Sequence, residues 1–139
     1  MPPPLRGAAE RQAVSEQQLD THCWLWLVAD PERIRRDVVE MLVAEGTDVY
    51  ISAATAWEIV IKHALGELSL PIPPAEYIPS RMAALGHLSL PIEQRHSLQV
   101  AGLPPHHKDP LDRTLVAQAQ GDRSSRCFVR TRTSHHELA

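Results

Sequence analysis

Three acidic residues that are far apart in the sequence stand where predicted secondary-structure elements begin or end. Asp20 ends a short predicted first strand, and Glu58 lies in a predicted helix, at the edge of its apolar face. Asp112 lies in the first turn of another helix, for which Asp109 is a good N-cap and Pro110 a good first residue. Carboxylates held at such positions could form one negatively charged site.

Clustered carboxylates repel one another unless a cation lies among them. The hard cations Mg²⁺ and Mn²⁺ prefer oxygen ligands, and Mg²⁺ typically combines a few carboxylates with several waters and a phosphate. Such a cation activates a water molecule and neutralises the charge that develops during phosphodiester hydrolysis. The sequence has no Walker loop, G-x-S-x-G motif or Cys/His motif that would favour another mechanism. Asp20, Glu58 and Asp112 are therefore the candidate catalytic and metal-binding residues.

The acids Glu58, Asp109 and Asp112 also have ordinary structural interpretations. Asp109 and Asp112 could cap the helix and complement its dipole, which stabilises a helix by about 0.3–1 kcal/mol for each acid. Glu58 could form a surface ion pair with Lys62, four residues later on the same helix, worth about 0.3–0.5 kcal/mol. The spacing alone leaves both interpretations open.

The elements that must position these acids alternate between short strands and helices. The pattern predicts strands at residues 17–20, 49–51 and 88–90, and helices at 30–46, 53–65, 79–85, 93–101 and from 110 onward. This alternation is typical of an α/β domain with a largely parallel sheet, in which ligands bind beyond the carboxyl ends of the strands. We therefore expect the three acids to converge at that edge.

Apolar spacing also predicts which side of a helix is buried. In the helix at 53–65, with Ser52 as N-cap and Gly66 as stop, the predicted buried side is Ala53, Ala56, Trp57, Val60, Ile61 and Ala64. The tryptophans are expected in the core or at an interface, rather than as platforms on which bases stack: Trp24, Trp26 and Trp57.

Composition limits the class of protein. With 139 residues, 43% hydrophobic and 22% charged, the chain is expected to form one globular domain. A net charge of -3 argues against tight, sequence-independent DNA binding. Two cysteines are too few for a disulfide scaffold. We find no signal peptide and no apolar run long enough to span a bilayer, so we expect a cytoplasmic protein without a membrane association.

Three blocks of sequence resemble a known family, in its order and spacing. They are LDTHCWLW at 19–26, SAATAWEIVIK at 52–62 and HHKDPLDR at 106–113. Together they resemble the PIN-domain toxins of the VapC type, over roughly residues 17–120.

This resemblance implies a PIN-like three-layer α/β/α fold and an endoribonuclease that depends on Mg²⁺ or Mn²⁺. It implies cleavage of structured RNA such as tRNA, inhibition by a cognate antitoxin, and a homodimer. The first three acids of the family fall on Asp20, Glu58 and Asp112, and Asp109 matches an acid that could assist at the metal.

Two hydroxyl residues, Thr21 and Ser52, match small residues that line the family's pocket, although capping of a helix is an equally good interpretation of both.

The C-terminal end departs from the family pattern. The family continues with an apolar strand and a Thr-x-Asp that supplies a fourth acid. Here only Cys127-Phe128-Val129 could form a strand, and no Thr-x-Asp follows it. We therefore divide the chain into a disordered extension (1–16), a PIN domain (17–121) and an atypical basic tail (122–139), with the last strand or strands missing or degraded.

The tail, rich in Arg, Ser, Thr and His, is typical of translation in a shifted frame, a hypothesis that sequencing of the locus tests. The alternative to an active toxin is an impaired PIN remnant that still binds antitoxin or dimerises without nuclease activity.

Overall fold

The computed structural model describes residues 15–103, 110–121 and 127–129. In this part of the chain, four strands form one parallel sheet with the order β3-β2-β1-β4. The strands are β1 (Ser15–Leu19), β2 (Thr47–Ser52), β3 (Leu88–Leu90) and β4 (Cys127–Val129). The expected α/β class and its parallel sheet are confirmed.

Helices connect the strands, as parallel pairing requires. Within the described ranges they are α1 (Thr21–Ala29), α2 (Arg36–Val43), α3 (Ala53–Ala64), α4 (Pro74–Leu85), α5 (Gln94–Gln99) and α6 (Pro110–Gly121), with 3-10 turns at Pro31–Arg33 and Val100–Gly102. None of these helices has the length and apolar character needed to cross a membrane.

The two central strands are buried along most of their length. Leu19, Val49 and Ile51 are at most 2% exposed, and neighbouring positions on the opposite face of β1 are buried too. Both faces of the sheet are therefore covered, which agrees with the three-layer arrangement. Trp24 on α1 is fully buried in this core, as one of the interpretations of the tryptophans predicted.

Strand β1 starts at Ser15, two residues earlier than expected, and residues 1–14 lie outside the described part. Its sequence made it a poor candidate because Leu19 is its one large apolar residue. Gln17 and Gln18 are nevertheless buried. The side-chain amide of Gln18 donates a 3.2 Å hydrogen bond to the carbonyl oxygen of Leu115, and such a partner makes burial of an amide tolerable.

The one segment after residue 121 that the sequence allowed to form a strand, Cys127–Val129, is strand β4. Cys127 pairs in parallel with Gln17, and Val129 with Leu19. The described sheet thus extends beyond residue 121, where we expected the domain to end. The reason is that three residues suffice for an edge strand when a buried neighbour supplies the pairing partner.

The helix predicted at 30–46 is interrupted. After the 3-10 turn, Ile34 and Arg35 are extended, and α2 begins only at Arg36. Ile34 is 3% exposed, so the extended backbone places its side chain in the core.

Helix α4 begins at Pro74, not at Pro79, and contains Pro79 in its interior. Tyr77 and Ile78, which precede Pro79, are at most 8% exposed. Their burial requires the helix to start earlier, although an interior proline removes one backbone hydrogen bond. Gly86, with φ of 72°, ends the helix as expected, because glycine adopts left-handed backbone readily.

The side of helix α3 that faces the core is opposite to the side that apolar spacing predicted. Its buried residues are Ala54, Thr55, Glu58 and Ile59. Trp57 is 58% exposed and Val60 48%. The helix is apolar on both sides, so apolar spacing does not decide its orientation. Buried polar contacts on α3 decide it instead, and these contacts build the candidate site.

Candidate active site

Asp20 lies at the junction of β1 and α1, where the strand reaches the carboxyl edge of the sheet. Its side chain is the N-cap of α1, because Oδ1 accepts a 2.8 Å hydrogen bond from the backbone N–H of Cys23. Its own backbone N–H donates to the carbonyl oxygen of Val129 at 2.9 Å. Asp20 is only 6% exposed, and the positive end of the helix dipole favours its charge.

The neighbouring Cys23 is not a nucleophile at neutral pH. Burial raises the pKa of its thiol to about 12, and the negative charge of Asp20 acts in the same direction. The thiolate is the attacking form of cysteine, so this raised pKa disfavours Cys23 as a nucleophile.

Glu58 lies in the second turn of α3 and is 6% exposed. Both of its carboxylate oxygens are engaged. Thr21 donates its hydroxyl to Oε1 at 2.7 Å, and the ammonium of Lys62 lies 2.8 Å from Oε2. The pair with Lys62 that helix spacing suggested is therefore present. It is not a surface pair, however, because the Glu58 side chain is only 9% exposed.

Thr21 connects the two buried acids. It follows Asp20 directly in sequence, is itself 3% exposed, and also lies 3.3 Å from the hydroxyl of Thr55 on α3. Its hydroxyl thus joins the start of α1 to the second turn of α3. The pocket role that the resemblance implies for Thr21 stays a prediction.

Asp112 lies in the first turn of α6 and is partly buried. Helix α6 is held against the sheet by buried amides, which sequence reasoning missed. The amide group of Gln118 accepts from the hydroxyl of Ser52 at 2.5 Å and donates to the carbonyl of Pro91 at 3.0 Å. The bond from Gln18 to Leu115 adds a third tie. Gln118 stands three residues after Leu115, on the apolar face of the helix, which is the one signal that could have found it.

Two other predicted residues have different outcomes. Ser52 caps α3, since its hydroxyl oxygen accepts from the backbone N–H of Ala54 at 2.9 Å, so the capping interpretation is confirmed. Asp109 lies outside the described residues.

The donor chemistry of this edge fits a hard cation. The acids Asp20, Glu58 and Asp112 offer only oxygen atoms, which Mg²⁺ and Mn²⁺ prefer. Within the described residues, however, no group of three or more His, Cys, Asp or Glu side chains stands close enough together to hold a metal ion. Mg²⁺ commonly binds one or two carboxylates and keeps several waters. The described residues do not by themselves form a metal site, and the expected convergence of Asp20, Glu58 and Asp112 on one cation stays a prediction.

Comparison with known proteins agrees with this architecture. The family model of the PIN domain matches residues 18–126. The chain is also 37% identical, over 71 residues, to ribonuclease VapC16 of Mycobacterium tuberculosis (strain ATCC 25618 / H37Rv). This alignment covers 51% of the chain and 48% of the relative, so the chain spans about half the length of the curated relative it matches. No solved structure matches the chain significantly.

Proposed function

Since the chain belongs to the PIN-domain family, we propose that it is a VapC-type endoribonuclease that hydrolyses RNA phosphodiester bonds with the help of a divalent cation. The similarity to a ribonuclease over 71 residues supports this proposal. Structured RNA such as tRNA is the proposed substrate and the cytoplasm the proposed location. A cognate antitoxin is the proposed inhibitor.

The observation that carries the proposal is the burial of two carboxylates at the carboxyl edge of the sheet. Asp20 and Glu58 are each 6% exposed, and the hydroxyl of Thr21 lies between their elements. Burying charged groups is unfavourable, so two buried carboxylates near the edge where ligands bind support a functional interpretation.

In this proposal Asp20, Glu58 and Asp112 hold Mg²⁺ or Mn²⁺, with Asp109 assisting. The bound cation supplies an activated water and a positive charge against the scissile phosphate. Thr21 fixes the orientation of Glu58 through its 2.7 Å hydrogen bond. Gln118 fixes α6, and thereby the turn that carries Asp112.

Substitution of the acids by amides tests the proposal. We expect Asp20→Asn and Asp112→Asn each to lower cleavage of a structured RNA by at least about 100-fold, or ~2.7 kcal/mol. Folding of Asp20→Asn should survive because asparagine is also a good N-cap. Circular dichroism checks the fold, and Asp37→Asn, a change at an exposed aspartate, is the matched control. Metal-dependent cleavage retained by both purified variants would refute the assignment.

A second candidate function is that of a PIN remnant which binds antitoxin or dimerises but does not cleave RNA. The missing Thr-x-Asp after Val129 favours it, since the fourth acid of the family has no counterpart there. Calorimetric titration with Mg²⁺ separates the two functions. An active nuclease should bind the ion in a manner that depends on Asp20, whereas the remnant should show no carboxylate-dependent binding.

We further propose that the chain forms a homodimer through the outer side of α3. Four large apolar residues are exposed there, at 38–65% of their surface: Trp57, Val60, Ile61 and Leu65. A contiguous apolar face of this kind is typical of a protein interface.

A further inference from the structure

Helix α1 and the turn after it carry a row of three side chains in contact, which we call the α1 surface. His22, in the first turn of the helix, is exposed, and Trp26, one turn later, is half-buried. Their ring centroids are 6.4 Å apart, with 55° between the ring planes. The guanidinium of Arg33, an exposed residue of the 3-10 turn Pro31–Arg33, lies over the indole of Trp26 at 4.5 Å from its centroid.

The polar groups of the α1 surface are available to a ligand. Within the described part of the chain, the indole N–H of Trp26 and the imidazole of His22 have no hydrogen-bond partner, and the Arg33 side chain forms no ion pair. Trp24, on the same helix, is the contrasting case. It is fully buried and donates its indole N–H to His87, so it is a core residue.

The types of these side chains fit unpaired nucleotides. Bases outside a duplex stack on aromatic rings and on the guanidinium plane of arginine, and such stacking tolerates any base sequence. Asp30 and Glu32 closely precede Arg33 in the sequence, so charge alone gives this surface little attraction for RNA. Stacking must therefore supply most of the attraction, which agrees with the net charge of -3.

The position of the α1 surface favours RNA over a protein partner, although tryptophan and arginine are frequent in protein interfaces too. His22 directly follows Thr21, whose hydroxyl contacts Glu58 in the candidate active site. An RNA whose scissile phosphate lies at that edge can therefore reach the first turn of α1 with its neighbouring nucleotides. The exposed aliphatic residues that suit a protein partner lie on α3 instead.

We propose that the α1 surface binds unpaired nucleotides of the RNA substrate. Bases stack on the guanidinium of Arg33 and on the imidazole of His22, and Trp26 holds both groups in place. This inference rests on the proposed ribonuclease function, but it requires no metal ion. Because structured RNA exposes its bases in loops, the surface selects loops over duplexes. The sequence alone favoured a core or interface position for Trp26, whereas its contacts support a role in RNA binding.

The test measures binding of a fluorescein-labelled RNA hairpin with an unpaired loop to the full chain. Fluorescence anisotropy is recorded in EDTA, so that no metal-dependent cleavage interferes. Arg33→Lys keeps the positive charge but removes the guanidinium plane, so we expect the Kd to rise about tenfold, or ~1.4 kcal/mol. A Kd equal to that of the parent chain would mean that charge and not stacking is responsible, and would overturn the inference.

Arg35→Lys is the matched control. Arg35 is exposed on the same segment, but its guanidinium pairs with Asp37 and lies over no described ring. This variant should bind the hairpin as the parent chain does. A similar rise in Kd for both lysine variants would mean that the effect is not specific to the α1 surface, and would also overturn the inference.

Two further variants test the aromatic members. Trp26→Leu keeps an apolar side chain against the core but removes the ring, and His22→Ala removes the imidazole at an exposed position. Each should raise the Kd about fivefold, whereas Trp26→Tyr, which keeps a ring beneath Arg33, should bind nearly as the parent does. Circular dichroism checks each fold. If Trp26→Leu folds poorly, the exposed positions His22 and Arg33 still decide, and an unchanged Kd in a folded Trp26→Leu or His22→Ala chain would overturn the inference.

The outcomes separate this inference from the proposed function. If the parent chain binds the hairpin and Arg33→Lys weakens the binding, but the parent cleaves no RNA with Mg²⁺ or Mn²⁺, the α1 surface stands and the nuclease proposal is wrong. If the parent cleaves RNA and Arg33→Lys changes neither Kd nor KM, the α1 surface alone is wrong. Variants that leave the Kd for RNA unchanged but alter the mass in light scattering would identify a protein interface instead. If the parent binds no RNA, both proposals are wrong.

Discussion

Replacing Thr21 by valine should destabilise the protein more than the small difference in shape between the two side chains suggests. Valine has nearly the shape of threonine, so Thr21→Val removes the hydroxyl and leaves the packing almost intact. The hydroxyl is 2.7 Å from Oε1 of Glu58, and Thr21 is 3% exposed. The substitution therefore leaves one oxygen of a buried carboxylate without this donor.

The expected size follows from the nature of the lost bond. A hydrogen bond to a charged group contributes about 1.5–3 kcal/mol, against about 0.5–1.5 kcal/mol for a bond between neutral groups. Thr21 also loses its 3.3 Å contact with Thr55, which is longer and involves no charge. We expect the free energy of unfolding to fall by about 2 kcal/mol, as measured by urea denaturation in the presence of a chelator.

Thr55→Val is the matched control, because it removes a fully buried hydroxyl from the same cluster but spares the bond to Glu58. This variant should lose at most about 1 kcal/mol. Equal losses for Thr21→Val and Thr55→Val would refute the idea that the charged partner makes the Thr21 bond important. A loss below about 0.5 kcal/mol for Thr21→Val, the range of ordinary surface substitutions, would refute it too.

Two further predictions concern stability against pH and the oligomeric state. Burial lowers the pKa of His87 from 6.5 to about 4, and its Nδ1 accepts a 3.0 Å hydrogen bond from the indole of Trp24. Between these two pKa values His87 binds a proton in the unfolded chain but not in the folded chain. The stability that neutral His87 contributes is therefore fully present above pH 6.5 and is lost as the pH falls towards 4. In urea denaturation, the free energy of unfolding should fall less between pH 6.5 and 5 for His87→Gln than for the parent chain. Equal falls for the two chains would contradict this prediction. Ile61→Asp, on the exposed side of α3, should convert the proposed dimer to a monomer, as measured by light scattering. The control Val43→Asp, at a site on α2 that is 63% exposed, should leave the dimer intact. If the dimer survives Ile61→Asp, the interface lies elsewhere.

Local signals in the sequence predicted much of the chain correctly. Ser52 as the cap of α3 and Gly86 as the end of α4 depend on backbone conformations that a few adjacent residues determine. The alternation of strands and helices indicated the parallel sheet, because parallel strands need crossover connections. It also led to the expectation that Asp20, Glu58 and Asp112 converge at one edge, which stays a prediction.

Other features depend on partners distant in sequence, and for these local signals were insufficient. The orientation of α3 is decided by Thr55 and Glu58, whose burial depends on Thr21, more than thirty positions away. The burial of Gln18 and Gln118 depends on bonds to Leu115 and Ser52, and a single sequence does not reveal such pairings.

The pairing of β4 with β1 determines the stage of synthesis at which the sheet can be completed. Leu19 and Val129, which are paired neighbours, are about 110 positions apart, and closing a loop of that size costs about 4 kcal/mol in chain entropy. The backbone N–H of Asp20 donates its 2.9 Å hydrogen bond to the carbonyl oxygen of Val129. We therefore expect growing chains to lack the completed sheet edge next to Asp20 until residue 129 has left the ribosome.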